Sequence, residues 1–152
     1  MITVFDVETS FQVTEEGKLD PSSKNPDNFL ISMGLNDEYI FFKHREYKDT
    51  PDRKTVQQML DNTTLLVGHN IKFDGRVYDT MVGEYVLNRG MKKSLKLKDC
   101  CIRRGVTQKS DLMEGFIKNK TSFENVPIKM LEEYGRFDIK STRALFDSQI
   151  KQ

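Results

Sequence analysis

The chain has no tryptophan, only two cysteines and four prolines, and no apolar run long enough to span a bilayer. Cys100 and Cys101 are adjacent, so they can neither build a disulfide framework nor space a zinc site, and both are expected to be reduced packing residues. The first residues pass straight into Ile2-Thr3-Val4-Phe5, without the cationic stretch and apolar segment of a secretory leader. The expected compartment is therefore the cytoplasm, that of the host if a phage encodes the chain, with no membrane partner. An excess of one charge sign is missing too. Twenty-four Lys and Arg stand against 23 Asp and Glu, a net charge of +1, which excludes a polycation that holds nucleic acid by bulk attraction. There is no internal repeat and no low-complexity tract.

What is present is a composition of 37% hydrophobic and 31% charged residues over 152 positions, that of one folded domain spanning residues 1–152. The charge is unevenly spread. Arg89, Lys92, Lys93, Lys96, Lys98, Arg103, Arg104 and Lys109 face only Asp99, a local net charge of +7. Such a segment reads either as a strip for a phosphate backbone or as a solvated helix face.

Met1 to Val7 is short, β-branched and apolar, and reads as a buried strand. Polar residues with Gly17, Pro21 and Pro26 make residues 15–28 a loop. Phe29 to Leu35 and Tyr39 to Phe42 form two more strand candidates, joined as a hairpin through Asn36-Asp37. Residues 52–61 are helical, with Val56, Met59 and Leu60 on one side, and Thr64 to Val67 is a further strand. A helix begins near Thr80. The spacing of Met81, Val82, Tyr85 and Val86 predicts its inner face, with Met81 and Tyr85 in the core. After Pro127, Leu131, Tyr134, Asp138, Thr142 and Leu145 recur every three or four residues and mark one face of a long helix. Strands first and alternating helices later predict an α/β domain with a mixed central sheet flanked by helices.

Three groups carry chemistry. In Phe5-Asp6-Val7-Glu8-Thr9, side chains alternate, so Asp6 and Glu8 project from the same face at the end of a strand. Two like charges there repel unless a cation lies between them, although an exposed structural pair is the commoner reading. Gly68-His69-Asn70-Ile71-Lys72-Phe73-Asp74 follows another strand, and its Asn70 and Asp74 read equally as a turn and a helix cap. In Tyr134-Gly135-Arg136-Phe137-Asp138, a spacing of four puts phenol and carboxylate one turn apart on the apolar stripe. A carboxylate on a core-facing stripe needs a partner.

In this order the three groups resemble the DnaQ-like 3′→5′ exonucleases with a Tyr in the third motif, and most nearly the proofreading domain of family A DNA polymerases, as in polymerase I and its phage relatives. The likeness includes Tyr78-Asp79-Thr80-Met81-Val82-Gly83-Glu84-Tyr85-Val86-Leu87 and covers nearly the whole chain. It implies a ribonuclease H-like fold and hydrolysis of phosphodiester bonds at single-stranded or frayed DNA 3′ ends with two Mg²⁺ or Mn²⁺ ions, for which carboxylates are suitable hard ligands. It further implies that Asp6, Glu8 and Asp138 hold one ion, that Asp6 bridges to a second served by Asp74, and that Tyr134 orients the attacking water. Thr9, Phe11, His69 and Asn70 would line the groove for the terminal nucleotides. Phe11 reads as a stacking platform or a core residue, and His69 more readily as a structural histidine. A separately encoded DNA polymerase is an implied partner, and an RNA 3′-exonuclease or a non-cutting relic are the rivals. One departure stands out. Only Gly75, Arg76 and Val77 separate Asp74 from Tyr78, where relatives place a helix of a dozen or more residues, so a segment is naturally deleted or has been left out.

Overall fold

The computed structural model describes residues 1–22, 24–47, 53–71, 76–106 and 111–152. The first apolar run forms β1 (Ile2–Thr9), and a small hairpin of β2 (Gln12–Val13) and β3 (Leu19–Asp20) follows, its second strand inside residues 15–28, which the sequence reads as plain loop. The predicted hairpin is β4 (Leu30–Leu35) and β5 (Glu38–Phe41). Asn36 turns it with a left-handed φ of 53°, a conformation asparagine tolerates, and its Oδ1 accepts from the Val4 amide at 2.8 Å. Then follow α1 (Arg53–Asp61), β6 (Leu65–Gly68), β7 (Val77–Asp79), α2 (Thr80–Leu87), α3 (Leu97–Arg104), α4 (Glu114–Lys118), a single 3-10 turn at 123–125, and α5 (Ile128–Gln149).

Five strands form one mixed sheet in the order β5-β4-β1-β6-β7. β1 runs antiparallel to β4 and parallel to β6, β4 is antiparallel to β5, and β6 is parallel to β7. Alternation along β1 sorts its residues to two sides. Val4 packs with Val67, Ile139 and Phe146, which belongs to the face covered by α5. Phe5 and Val7 pack with Met33, Leu35 and Val56, so α1 covers the other face. The predicted α/β architecture, a mixed sheet flanked by helices, is present. Among the described residues no helix is long and apolar enough to cross a membrane.

The long helix follows its sequence pattern closely. Leu131, Tyr134, Asp138, Thr142 and Leu145 are all buried, and α5 spans about 33 Å at about 1.5 Å per residue, enough to cross the whole sheet. Pro127 is the residue that caps the helix, just ahead of its first turn.

Helix α2 corrects the sequence reading. Tyr85, expected in the core, is 52% exposed, and Val82 and Val86 are exposed with it. The buried positions are Thr80 and Glu84. The inner side of α2 is polar: Glu84 accepts from Asn88 Nδ2 (2.9 Å), Arg103 Nε (3.0 Å), Arg104 Nε (3.0 Å) and Gln149 Nε2 (3.1 Å). Burial opposes ionisation of Glu84, but these donors outweigh it and hold the carboxyl below its ordinary range. Apolar periodicity tracks the outer side because the inner side is a hydrogen-bonded network tying α2 to α3 and α5. The basic segment is corrected as well. Arg103 and Arg104 point inward to Glu84, so neither a phosphate strip nor a solvated face describes that end of it.

Candidate functional site

β1 delivers Asp6 and Glu8 to the face under α5, as the alternation of its side chains requires. In the β1–β4 ladder Asp6 stands opposite Gly34 and Glu8 opposite Ser32, with an irregularity between Glu8 and Thr9 that ends the regular pairing. Two glycines let the helix come close. A Cβ on Gly34 would overlap Ile139, and a Cβ on Gly135 would overlap the Tyr39 phenol, so larger residues at either position would push α5 off the sheet. Asp138 is one turn beyond Gly135 and is thereby lowered toward β1.

As a result Asp6, Glu8 and Asp138 each offer a carboxylate oxygen, and these oxygens all lie within 4.8 Å of one another. Glu8 is 9% and Asp138 5% exposed, so this concentration of negative charge is mostly shielded from water. Like carboxylates so close and so dry are costly by themselves, and the donor set, all hard oxygens, matches Mg²⁺ or Mn²⁺ rather than a softer metal.

Two buried phenols register the same field. Burial pushes the Tyr134 hydroxyl well above its ordinary value, and Asp138, Glu8 and Asp6 push it further. Tyr39 is raised in the same way, by burial first and then by Glu8, Asp6 and Asp138 against the lowering effect of its Ser32 hydrogen bond. Both phenols stay protonated at neutral pH. Tyr134 is thus a hydrogen-bonding group beside the cluster and not a base.

The second motif is built by capping. Asp79 Oδ1 accepts from the Met81 amide at 2.8 Å, which caps α2, and from the Asn70 amide at 2.9 Å. Asn70 takes a left-handed φ of 61° in that turn. His69 Nε2 donates to the Leu95 carbonyl at 2.9 Å, and its Nδ1 lies 2.9 Å from the Thr80 hydroxyl, so the ring fastens the 91–96 segment to the start of α2. Asp74, with Lys72, Phe73 and Gly75, lies outside the described residues.

A groove of about 710 Å³ joins these parts. Its lining includes Asp6, Asp138, His69 and Asn70, together with Lys96 and Lys98 and the acidic Asp111 and Glu114. Lys98 is held at 2.5 Å by Asp111 Oδ1. Thr9 and Phe11 do not line this groove; Phe11 packs edge-to-face against Phe123 with ring centroids 6.1 Å apart, which favours packing over stacking on a base.

Tyr39, Ser32, Gly34 and Gly135 are absent from the sequence-derived list. The sequence signal for Tyr39 is its place two residues before Phe41 on an alternating strand, and the register that sets it opposite Gly34, itself opposite Asp6, comes from the hairpin turn. No family model matches this chain, and no curated protein matches it either.

Proposed function

We propose that this chain is a metal-dependent 3′→5′ exonuclease of the DnaQ-like kind, acting on single-stranded or frayed DNA 3′ ends. The observation that carries the reading is the convergence of Asp6 and Glu8, from the first strand, with Asp138, from the last helix, within 4.8 Å. A five-stranded sheet in the order β5-β4-β1-β6-β7, crossed by a long helix bearing the third carboxylate, is compatible with a ribonuclease H-like fold.

Asp6, Glu8 and Asp138 would hold the first divalent ion, and Asp74 would serve the second. When bound, the pair of ions supplies an activated water and offsets the charge that builds on the leaving 3′-oxygen. The residues of the chain do the rest. Protonated Tyr134 donates a hydrogen bond at the cluster and orients the nucleophile. Lys96 is the cation of the groove lining that could meet a phosphate, since Lys98 there is paired with Asp111 and Glu114. A separately encoded polymerase would present the frayed end.

A second reading has one observation in its favour. Val82 and Val86, with Ile71, Val77 and Tyr78, line an exposed groove of about 580 Å³, an apolar surface of the kind that a relic lacking a covering helix would leave open. Incubating the chain with Mn²⁺ and matched 5′-labelled DNA and RNA single strands decides between the readings. Stepwise shortening of DNA from the 3′ end is expected. Preferential shortening of RNA would reassign the substrate, and a folded chain that binds Mn²⁺ but shortens neither would be the relic.

A further inference from the structure

We infer that Tyr39 is a positioning residue for the carboxylate cluster: its hydroxyl bridges Ser32, the cross-strand neighbour of Glu8, to the Leu131 carbonyl of α5, and so sets the spacing between strand-borne and helix-borne carboxylates. The inference rests on the proposed metal site and deepens it.

The Tyr39 hydroxyl lies 2.9 Å from Ser32 Oγ, where either oxygen can donate, and 3.4 Å from the Leu131 carbonyl, which can only accept. A bridge to both sides therefore has Ser32 donating to Tyr39 and Tyr39 donating its one proton to Leu131. Ser32 is fully buried and stands opposite Glu8 in the β1–β4 ladder. Leu131 lies one turn before Gly135 and two turns before Asp138 on the same buried stripe. One hydroxyl therefore ties the strand next to Glu8 to the helix that carries Asp138.

The ring has little freedom to move away from that job. The turn of α5 at Gly135 is moulded around the phenol, since any Cβ there would overlap it. Phe41 packs against the ring edge-to-face at 5.3 Å between centroids, and the Arg136 guanidinium lies 5.8 Å from its centre. Arg136 is itself fixed by donating to the Asp37 carbonyl at 2.6 Å. Burial first, and then the Glu8, Asp6 and Asp138 carboxylates, hold the Tyr39 hydroxyl above its ordinary pKa, so at neutral pH it keeps the proton that the bridge requires. Metal sites tolerate little displacement of their ligands, so a strut of this kind acts on affinity and turnover without touching substrate.

The test uses the full chain with Tyr39→Phe, which keeps the ring, and Ser32→Ala, which keeps the phenol. Mn²⁺ binding is followed by electron paramagnetic resonance of free and bound ion, and mononucleotide release gives kcat and KM separately. Both variants are expected to melt cooperatively. Half-saturating Mn²⁺ should rise and kcat should fall by roughly tenfold in each, the lower end of what losing an outer partner costs a metal site. KM for the strand should stay within about twofold, and the double variant should be no worse than Tyr39→Phe alone because both remove one bridge. If a folded Tyr39→Phe or Ser32→Ala binds Mn²⁺ and turns over like the wild type, Tyr39 only packs. If the wild type binds Mn²⁺ but cuts no strand, the nuclease reading falls and the affinity shift alone judges Tyr39. A wild type that binds no Mn²⁺ overturns both.

Discussion

Asp138 is the residue in which sequence and structure meet most sharply. Its place on the stripe of Leu131, Tyr134, Thr142 and Leu145 requires burial, and at 5% exposure it is buried. What the fold brings to it is two more carboxylates, Asp6 and Glu8. An isolated acidic pair on a strand is common, and it is the third group, from the far end of the chain, that makes the cluster on which the proposed metal site rests. Asp138→Asn keeps the shape and removes one charge. In metal-free buffer its melting temperature is expected to equal or exceed that of the wild type, because a like-charge contact is relieved. Hydrolysis should fall by more than the ~10–100-fold that loss of an outer partner costs. A variant that melts well below the wild type without metal would mark Asp138 as a structural residue.

Among the elements, β1 and α5 are the ones whose buried faces can be read from the sequence. Alternation on β1 and a three-to-four spacing on α5 name the right faces because both elements bury one apolar side. α2 defeats such a reading for the opposite reason: its inner side is Thr80 and Glu84, and hydrophobic periodicity cannot find a face held by hydrogen bonds. The Glu84 network also sets a pH dependence. The folded carboxyl titrates below its ordinary value of 4.5, so its contribution to stability is complete above that pH and is lost as pH falls through the lower folded value. Thermal melts between about pH 5 and pH 3 should therefore decline more steeply for the wild type than for Glu84→Gln. At neutral pH, Glu84→Ala should cost about 3 kcal/mol, since two arginines lose a partner whose side chain is 1% exposed. Parallel acid declines in wild type and Glu84→Gln would remove Glu84 from the account.

For the whole molecule, a net charge of +1 hides a division of labour that composition cannot reveal. Negative charge is gathered at the carboxylate cluster, part of the basic segment is spent inside on Glu84, and Lys96 and Lys98 flank the groove. The α/β class, the hairpin and the long helix could be read from pattern. The closeness of β1 to α5 could not, because it depends on Gly34, Gly135 and Tyr39, residues whose meaning appears only once register and crossing are known. Crystals soaked in Mn²⁺ and measured at the manganese edge should show two anomalous peaks about 4 Å apart, at least one of them bound by Asp6, Glu8 and Asp138. Crystals that show no peak there, with the three side chains turned to other protein groups, would contradict the proposed metal centre and the nuclease built on it.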